Sequence, residues 1–467
     1  MKGLFCCMAS LVLYNTKSKS KETFIPMVSG SVSLYSCGPT VYHYVHAGNL
    51  RAFIFADTLH RMFIYAGYSV RHVMNITDVG HLVSDGDDGE DKLEKGAHRE
   101  GNSAWDVAVF YTDAFFQDLD ALNINRSEYI YPRATDTIQE QIDLIVALEE
   151  KGFTYRITDG IYFDTAQFPA YADFARLDIA GLQSGARVEE NTEKKNTTDF
   201  ALWKFSPQGV TRDMEWQSRW GVGFPGWHIE CSAMSKKYLG SHFDIHTGGI
   251  DHIPVHHTNE IAQSECANDE PFVNYWLHNN FLNDASGKMS KSSGDFLRLQ
   301  TIIDKGISPL AFRYYLLTTH YRKEVEFSFE ALQGAQQAYA KLYDFAAHKE
   351  ESEGSVLESY KRSFDAAIYD DLNTPQAIAV IWVMLKDIGC ARHDVHRTLI
   401  EMDKVLGLNL HAARRVAVQI SPELQKMLDQ REIARRERNF KEADRIRDEI
   451  KAAGFIVKDT DAGQELV

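Results

Sequence analysis

The residues best equipped for chemistry fall in three places. His46 and Asn49 stand three apart in His46-Ala47-Gly48-Asn49, at the end of a run that begins Cys37-Gly38-Pro39-Thr40. That run follows a strand-like segment and opens a helix-like one, which is where ligands bind in an open parallel sheet. Gly48 lets the backbone approach a ligand closely, and the helix start offers free N–H groups and a positive dipole end to phosphate. His46 and Asn49 can donate hydrogen bonds to a phosphoryl group as negative charge builds on it. The second place is Lys288-Met289-Ser290-Lys291-Ser292, whose two lysines form a cationic clamp suited to pyrophosphate. The third is a set of metal-ligand types: Cys37, Cys231, and the pair His256 and Glu260, four apart and so on one face of a helix. They amount to a Cys2HisGlu shell of donors that suits zinc. Taken singly, each has a plain structural reading: a turn with an incidental histidine, a charged loop, a core cysteine. Two phosphate-handling segments about 240 residues apart in one chain make coincidence a poor account, and one of the cysteines lies beside the first.

Such residues need a scaffold, and its outline is readable. From Ser31 to about Tyr131 strand and helix alternate: Val32 to Tyr35 is strand-like, and Leu50 to Ala66 is helical with Phe53, Ala56, Leu59, Phe63 and Ile64 on one face. Gly67 stops that helix, and Val70 to Val73 starts another strand. A βαβ unit of this kind implies a parallel sheet with a right-handed crossover. Residues 134–220 are more polar, with the turn signal Thr158-Asp159-Gly160 and a charged run from Glu189 to Lys195, and read as an insertion. The βα rhythm returns at Gly226 and lasts to about Asn283. Beyond Lys288 the chain turns helical, with patterns over Phe329 to His348 and Ser363 to Gly389. Pro422 and Gly454 bracket a charged helix that carries Arg435, Arg436, Arg438, Lys441, Arg445 and Arg447, followed by the strand-like Gly454 to Lys458. The expected fold is α/β: a Rossmann-like doubly wound parallel sheet with an insertion, then an α-helical bundle and a small C-terminal region. The divisions fall at 8–133, 134–220, 221–285, 286–328, 329–412 and 413–467.

Composition narrows the class. A chain of 467 residues suggests two to four domains, and 44% hydrophobic with 12% aromatic residues supports a sizeable core. A net charge of −16 argues against a protein that coats nucleic acid over its whole surface, although it leaves room for a local basic patch. Six cysteines, irregularly placed, read as reduced thiols or metal ligands. Gly3 to Met8 and Leu11 to Leu13 faintly resemble a signal peptide, but Ser10 breaks the run and no clear cleavage site follows, so a cytoplasmic location is expected, with Met8 an alternative start. No stretch reaches the ~20 apolar residues that span a bilayer.

HxGN and KMSKS are similar to the two nucleotide-binding signatures of class I aminoacyl-tRNA synthetases. With CGPTVY, GWHIECSAM and GGID followed by HHTNEIAQSE, all in this order, the chain resembles the cysteinyl-tRNA synthetases over nearly its whole length. The resemblance implies that Cys37, Cys231, His256 and Glu260 bind one zinc ion, whose coordination the thiolate of the substrate L-cysteine completes. It implies that His46, Gly48, Asn49, Gly249, Asp251, Lys288 and Lys291 hold ATP, accompanied by Mg2+, with His46, Asn49, Lys288 and Lys291 catalytic. Trp227 and His228 would line the amino-acid pocket. It further implies tRNA(Cys) as partner, a monomer, and anticodon binding at 413–467; Tyr369 to Ala377 resembles the family's helical bundle.

Several residues depart from the family's usual pattern. Asn49 replaces a second histidine, Val79-Gly80-His81 precedes an acidic run from Asp85 to Asp91 in place of consecutive aspartates, and Thr258 and Asp295 replace Glu and Asn. Two other readings compete: a cysteine ligase of thiol biosynthesis that joins cysteine to an amino sugar with the same catalytic half, and a catalytically silent RNA-binding or zinc-structural protein. The arginine-dense helix within 415–467 separates the synthetase from the first, and the intact nucleotide motifs from the second.

Overall fold

The computed structural model describes residues 10–79, 101–177, 192–207, 209, 212–284, 287–288, 297–348, 354–414, 422–452, 457–460 and 463–466. The acidic run, the N-terminal apolar run up to Ser10, Asp295 and Lys291 lie outside them. They divide into two compact units, 1–412 and 413–467.

At the centre of the first unit is a five-stranded sheet in the order Val273–Asn279, Phe243–Gly249, Ser31–Ser36, Ser69–Met74, Tyr129–Ile130, with every pairing parallel. Its strands are apolar because both faces are covered; Val32, Leu34, Val73, Ile245 and Leu277 are fully buried. The chain winds outward from Ser31–Ser36 in one direction, returns, and winds outward in the other. This is the doubly wound arrangement expected from the sequence, and its switch point lies between Ser31–Ser36 and Phe243–Gly249.

The helix Ala47–Tyr65 begins three residues before the expected Leu50. His46 caps it: its ring accepts from the Asn49 N–H at 3.2 Å while the Asn49 amide oxygen accepts from the His46 N–H at 3.3 Å.

The insertion is a second five-stranded sheet, antiparallel, ordered Thr154–Ile157, Gly160–Phe163, Phe200–Phe205, Gly221–Pro225, Trp216–Ser218. It runs to Pro225, past the expected limit at 220, and passes straight into the helix Trp227–Leu239. Phe163, Phe200, Leu202 and Trp203 share one core with Ile229, Ala233 and Ala262. The insertion therefore buttresses the helices that carry Cys231 and Glu260.

Two helical expectations need correction. The pattern over Ser363 to Gly389 is two helices, Glu358–Ile368 and Thr374–Met384. Between them Asp371 and Leu372 take left-handed φ of 63° and 49°, conformations that cost about 1–2 kcal/mol each and stop a helix. In the second unit the charged stretch is likewise two helices, Pro422–Arg436 and Phe440–Ala452, broken where Arg438 has φ 57° and Asn439 caps the second helix by accepting from Glu442 N–H at 3.4 Å. Leu424, Leu428, Ile446 and Ile450 pack between them with Val457 of the strand Val457–Thr460. Periodicity saw each pair as one helix because the pattern resumes in phase after a short break.

A buried ion pair ties the helix Ala47–Tyr65 to the helix Pro309–Leu317 and, through Leu406, to the bundle. Arg313, fully buried on the helix Pro309–Leu317, donates to Asp57 at 2.5 Å, to the Leu406 carbonyl at 2.7 Å and to the Leu122 carbonyl at 3.1 Å. Burial alone would raise the Asp57 carboxyl, but Arg313 and Arg61 outweigh it and hold it below its ordinary value. Arg313→Met leaves Asp57 with only Arg61 and the Tyr129 hydroxyl as partners and lowers stability by about 1.5–3 kcal/mol, the loss of a charged hydrogen bond in the interior. Adding Asp57→Leu recovers part of this, as thermal or urea unfolding of the single and double variants will register. Because the folded carboxyl is depressed, its contribution is complete above about pH 4 and vanishes only as acid takes the pH below the folded value.

Candidate active site

A cavity of about 200 Å³ opens at the switch point. Its lining includes Cys37, His46, Gly48, Asn49, Trp227, Cys231, Gly249, Asp251 and His256, which the sequence analysis had assigned to three separate motifs. Cys37 emerges where the strand Ser31–Ser36 ends, fixed by its N–H to the Thr247 carbonyl at 3.1 Å. Cys231 projects from the first turns of Trp227–Leu239. His256 lies in the wide turn Ile253–His257 that leads into the helix Thr258–Asn268, which carries Glu260.

At two of these places glycine leaves room for the close approach of a ring or a carboxylate. A Cβ on Gly48 would stand 2.9 Å from the His46 ring, and one on Gly249 would stand 2.3 Å from an Asp251 carboxylate oxygen. Gly48 thus admits the histidine to its capping position. With Nδ1 accepting from the Asn49 N–H, the neutral His46 ring carries its proton on Nε2, the form that donates to a phosphoryl oxygen. The Asn49 oxygen is engaged in the cap, which leaves its NH2 group as the donor.

The donor atoms of Cys37, Cys231, His256 and Glu260 lie within 4.8 Å of one another and are all buried. Hydrogen bonding with Cys37 is the largest of the forces that bring the Cys231 thiol down to about 6, against the effect of burial. Burial opposes ionisation of Glu260, yet His246 and His256 pull its carboxyl down to about 2. Burial also disfavours a charged His256, but Glu260 and Cys231 push it up to about 10. Burial and the contact with Cys231 hold the Cys37 thiol well above its ordinary range. The pocket thus gathers anions around a proton on His256, whose Nε2 lies 3.0 Å from Glu260 Oε1. Two thiols, an imidazole and a carboxylate are donors of the types that suit zinc.

A second set, Cys37 with His246, His257 and Glu260, meets the same distance test. Its two histidines do not line the cavity, whereas Cys231 and His256 do. Its histidines are engaged elsewhere: His246 Nε2 bonds Glu260 Oε2 at 3.0 Å, and His257 lies between Cys37 at 3.2 Å and His278 at 2.7 Å. Thr16 closes that row on the far nitrogen of His278 at 2.8 Å. With Thr16 donating first, each ring in turn accepts and donates, and His257 presents an N–H to Cys37. We therefore assign the first set as the ligand group and the second as its support.

The structure moves one expected pocket residue. Trp227 lines the cavity and stacks on His256 with ring centroids 4.4 Å apart. His228 is buried behind it, its Nδ1 2.9 Å from His256 Nδ1, where it orients that ring from outside the cavity. His246, His257 and His278 escaped the sequence analysis; a histidine within the apolar strand Phe243–Gly249 was the available signal. Lys288 belongs to the strand Gly287–Lys288, which pairs antiparallel with Leu282–Asp284.

The class of protein follows from fold and sequence together. The profile for the tRNA synthetases class I (C) catalytic domain matches residues 23–337, a DALR domain profile matches 363–411, and that of the cysteinyl-tRNA ligase anticodon binding domain matches 417–466. Solved structures agree in fold: the LeuRS–tRNA–LeuAMS complex of Agrobacterium radiobacter K84 (TM-score 0.57, 12% identity, 82% of this chain and 84% of that one) and Mycobacterium tuberculosis methionyl-tRNA synthetase (TM-score 0.54, 15% identity, 86% and 94%). Among curated relatives, cysteine–tRNA ligase 1 of Burkholderia lata is 50% identical over 98% of this chain and 96% of its own, and the cysteine–tRNA ligase of Treponema denticola 43% over 96% and 98%. The chain belongs to the cysteinyl-tRNA ligase family of class I synthetases.

Two of the four ligands are protonated without metal, Cys37 and His256, so zinc binding at pH 7 releases about two protons per ion. Calorimetry in buffers of different ionisation enthalpy counts them, and a count of zero contradicts the ligand set. Cys231→Ser loses zinc and cysteine affinity together, while Cys266→Ser, on the far end of the helix Thr258–Asn268 in the core shared with the insertion, keeps both on metal analysis.

Proposed function

We propose that the chain is a cysteine–tRNA ligase, which activates L-cysteine with ATP and transfers it to the 3′ end of tRNA(Cys). One observation carries the reading: a thiol-selective ligand group and a phosphate-handling helix start open into one cavity at the switch point.

Cys37, Cys231, His256 and Glu260 hold the zinc. Bound there, zinc favours a thiolate and lowers its pKa, whereas the hydroxyl of serine is a poor ligand. A hydrophobic pocket separates such near-isosteres only about 10–200-fold, while a bond only one can make separates them much further. Trp227 forms a wall of the amino-acid pocket, and His228 keeps the His256 ring turned toward the other ligands. ATP lies along the helix start, its ribose at Gly249 and Asp251 and its phosphates, with Mg2+, against His46, Asn49, Lys288 and Lys291. The cysteine carboxylate attacks the α-phosphorus and pyrophosphate departs. The terminal ribose hydroxyl of tRNA then attacks the adenylate carbonyl and AMP departs. Positioning and electrostatic stabilisation supply most of the rate. The region 413–467 reads the anticodon, and the reading carries with it a monomer in the cytoplasm. Among the described residues no helix is long and apolar enough to cross a membrane.

The amino-sugar ligase is not favoured, because the match to an anticodon binding domain reaches residue 466. Labelled cysteine and a tRNA(Cys) transcript decide the matter, alongside cysteine-dependent pyrophosphate exchange. Charging of the tRNA is the expected result; exchange without charging would point to another acceptor, and a zinc-loaded, folded protein with neither would end the enzymatic reading.

A further inference from the structure

Arg51 stands two residues beyond Asn49, on the helix whose start forms the phosphate-handling end of the cavity, and is 3% exposed. Burial lowers its guanidinium to about 10, so it remains charged at neutral pH. No carboxylate among the described residues lies within ion-pair distance of it. Its hydrogen bonds go instead to main-chain carbonyls: Phe281, Lys323, Tyr321 at 3.2 Å and His320 at 3.4 Å.

Those carbonyls flank the strands that carry Lys288. Phe281 immediately precedes Leu282–Asp284, which pairs antiparallel with Gly287–Lys288 and parallel with Val325–Phe327. The Phe281 carbonyl also accepts from the Val325 N–H at 3.0 Å, and the Asn280 N–H donates to the Tyr321 carbonyl at 2.8 Å. The 320–323 turn is held from its other side by Asp371, which is fully buried. Asp371 accepts from Tyr321 Oη at 2.6 Å, Arg322 Nε at 2.8 Å and the Tyr14 N–H at 2.9 Å. It occupies the left-handed turn that separates two bundle helices. Burying a guanidinium without an anionic partner is unfavourable for stability, and an apolar side chain would pack the same space without that cost. What the guanidinium supplies is a planar fork of donors that fixes several carbonyls at once.

We infer that Arg51 is a positioning residue for adenylate formation: it sets the Lys288-bearing strands at a fixed distance from His46 and Asn49. Asp371 holds the same turn from the bundle. The inference rests on the reading of His46, Asn49 and Lys288 as ATP-phosphate contacts. Its signature is a loss in turnover that spares the amino-acid end of the cavity, because no Arg51 contact reaches a zinc ligand.

The test is cysteine-dependent pyrophosphate exchange by full-length, zinc-loaded protein without tRNA, comparing wild type with Arg51→Lys, Arg51→Gln and Asp371→Asn. A shift of about 1 Å between reacting groups costs about 10²-fold. Arg51→Gln is expected to lower kcat by about that factor, with Arg51→Lys falling less and Asp371→Asn moving in the same direction. The KM for cysteine should stay within about twofold, and zinc content at one per chain. Unchanged kcat in both Arg51 variants overturns the inference, as does a fall in kcat matched by equal losses of cysteine affinity and zinc. Should Arg51→Gln fail to fold, Arg51→Lys and Asp371→Asn are judged by the same criteria. A wild-type protein that shows no exchange overturns the reading of the site itself, and this inference with it.

Discussion

The pairing of the strand Ser31–Ser36 with Phe243–Gly249 is the constraint on which the site depends. Two segments more than 200 residues apart meet there in parallel register, Leu34 beside Ile245 and Ser36 beside Thr247. Because the chain leaves these strands toward opposite edges of the sheet, nothing crosses above their carboxyl ends and a crevice remains. Cys37 and Gly38 leave one lip; Gly248, Gly249 and Asp251 leave the other. A Cβ on Gly38 would come within 1.7 Å of the Asn75 carbonyl, so the first lip is pressed against the next strand along and cannot relax away from the crevice. Cys37 and Cys231, far apart in sequence, are thereby brought with His256 and Glu260 into one cluster whose donor atoms lie within 4.8 Å of one another.

Electrostatics then decides what the crevice holds. Four histidines, the buried His228, His257 and His278 and the half-buried His252, are held neutral by the low-dielectric surroundings and by one another. His256 differs because it alone faces both Cys231 and Glu260, and their negative charge outweighs the cost of burial. A neutral imidazole can donate at one nitrogen and accept at the other, so a row of such rings fixes its neighbours' orientation without adding charge. That is an economical way to immobilise ligands in a region where additional charged groups would be costly.

Legibility from the sequence followed the range of the forces involved. The βαβ units were readable because Val32 to Tyr35 and Phe53 to Phe63 are patterned by burial, a local signal repeated along one element. His46, Asn49 and the four metal-ligand types were readable because their chemistry is carried by residue type and short spacing, and because several motifs agreed with a family. The breaks at Asp371 and at Arg438 were not readable: neither is glycine or proline, and the left-handed turn at Asp371 is held by contacts from elsewhere in the chain, those of Tyr14 and Arg322. Nor was the placing of His228, since whether a residue at a helix start faces a cavity or lies behind it depends on the neighbouring helix. The row from Thr16 to Cys37 joins positions from four segments, and no spacing in one dimension encodes it.

The two ends of the cavity are braced in different ways, and the difference suits their tasks. At the thiol end the braces are side chain to side chain, ring against ring and carboxylate, so identity matters at each position and selectivity is local. At the phosphate end they run from side chain to backbone, as with Arg51 on Phe281 and Tyr321, and from backbone to backbone, as with the Ala47 N–H on the Leu297 carbonyl at 2.8 Å. Braces of this second kind fix a distance between segments while tolerating changes of side chain. They also connect the cavity to the bundle, since the turn gripped by Arg51 is the one Asp371 anchors. The segment ahead of Lys288 is thus continuous through hydrogen bonds with the helical bundle, whereas the helix that carries Cys231 packs against the core of the insertion.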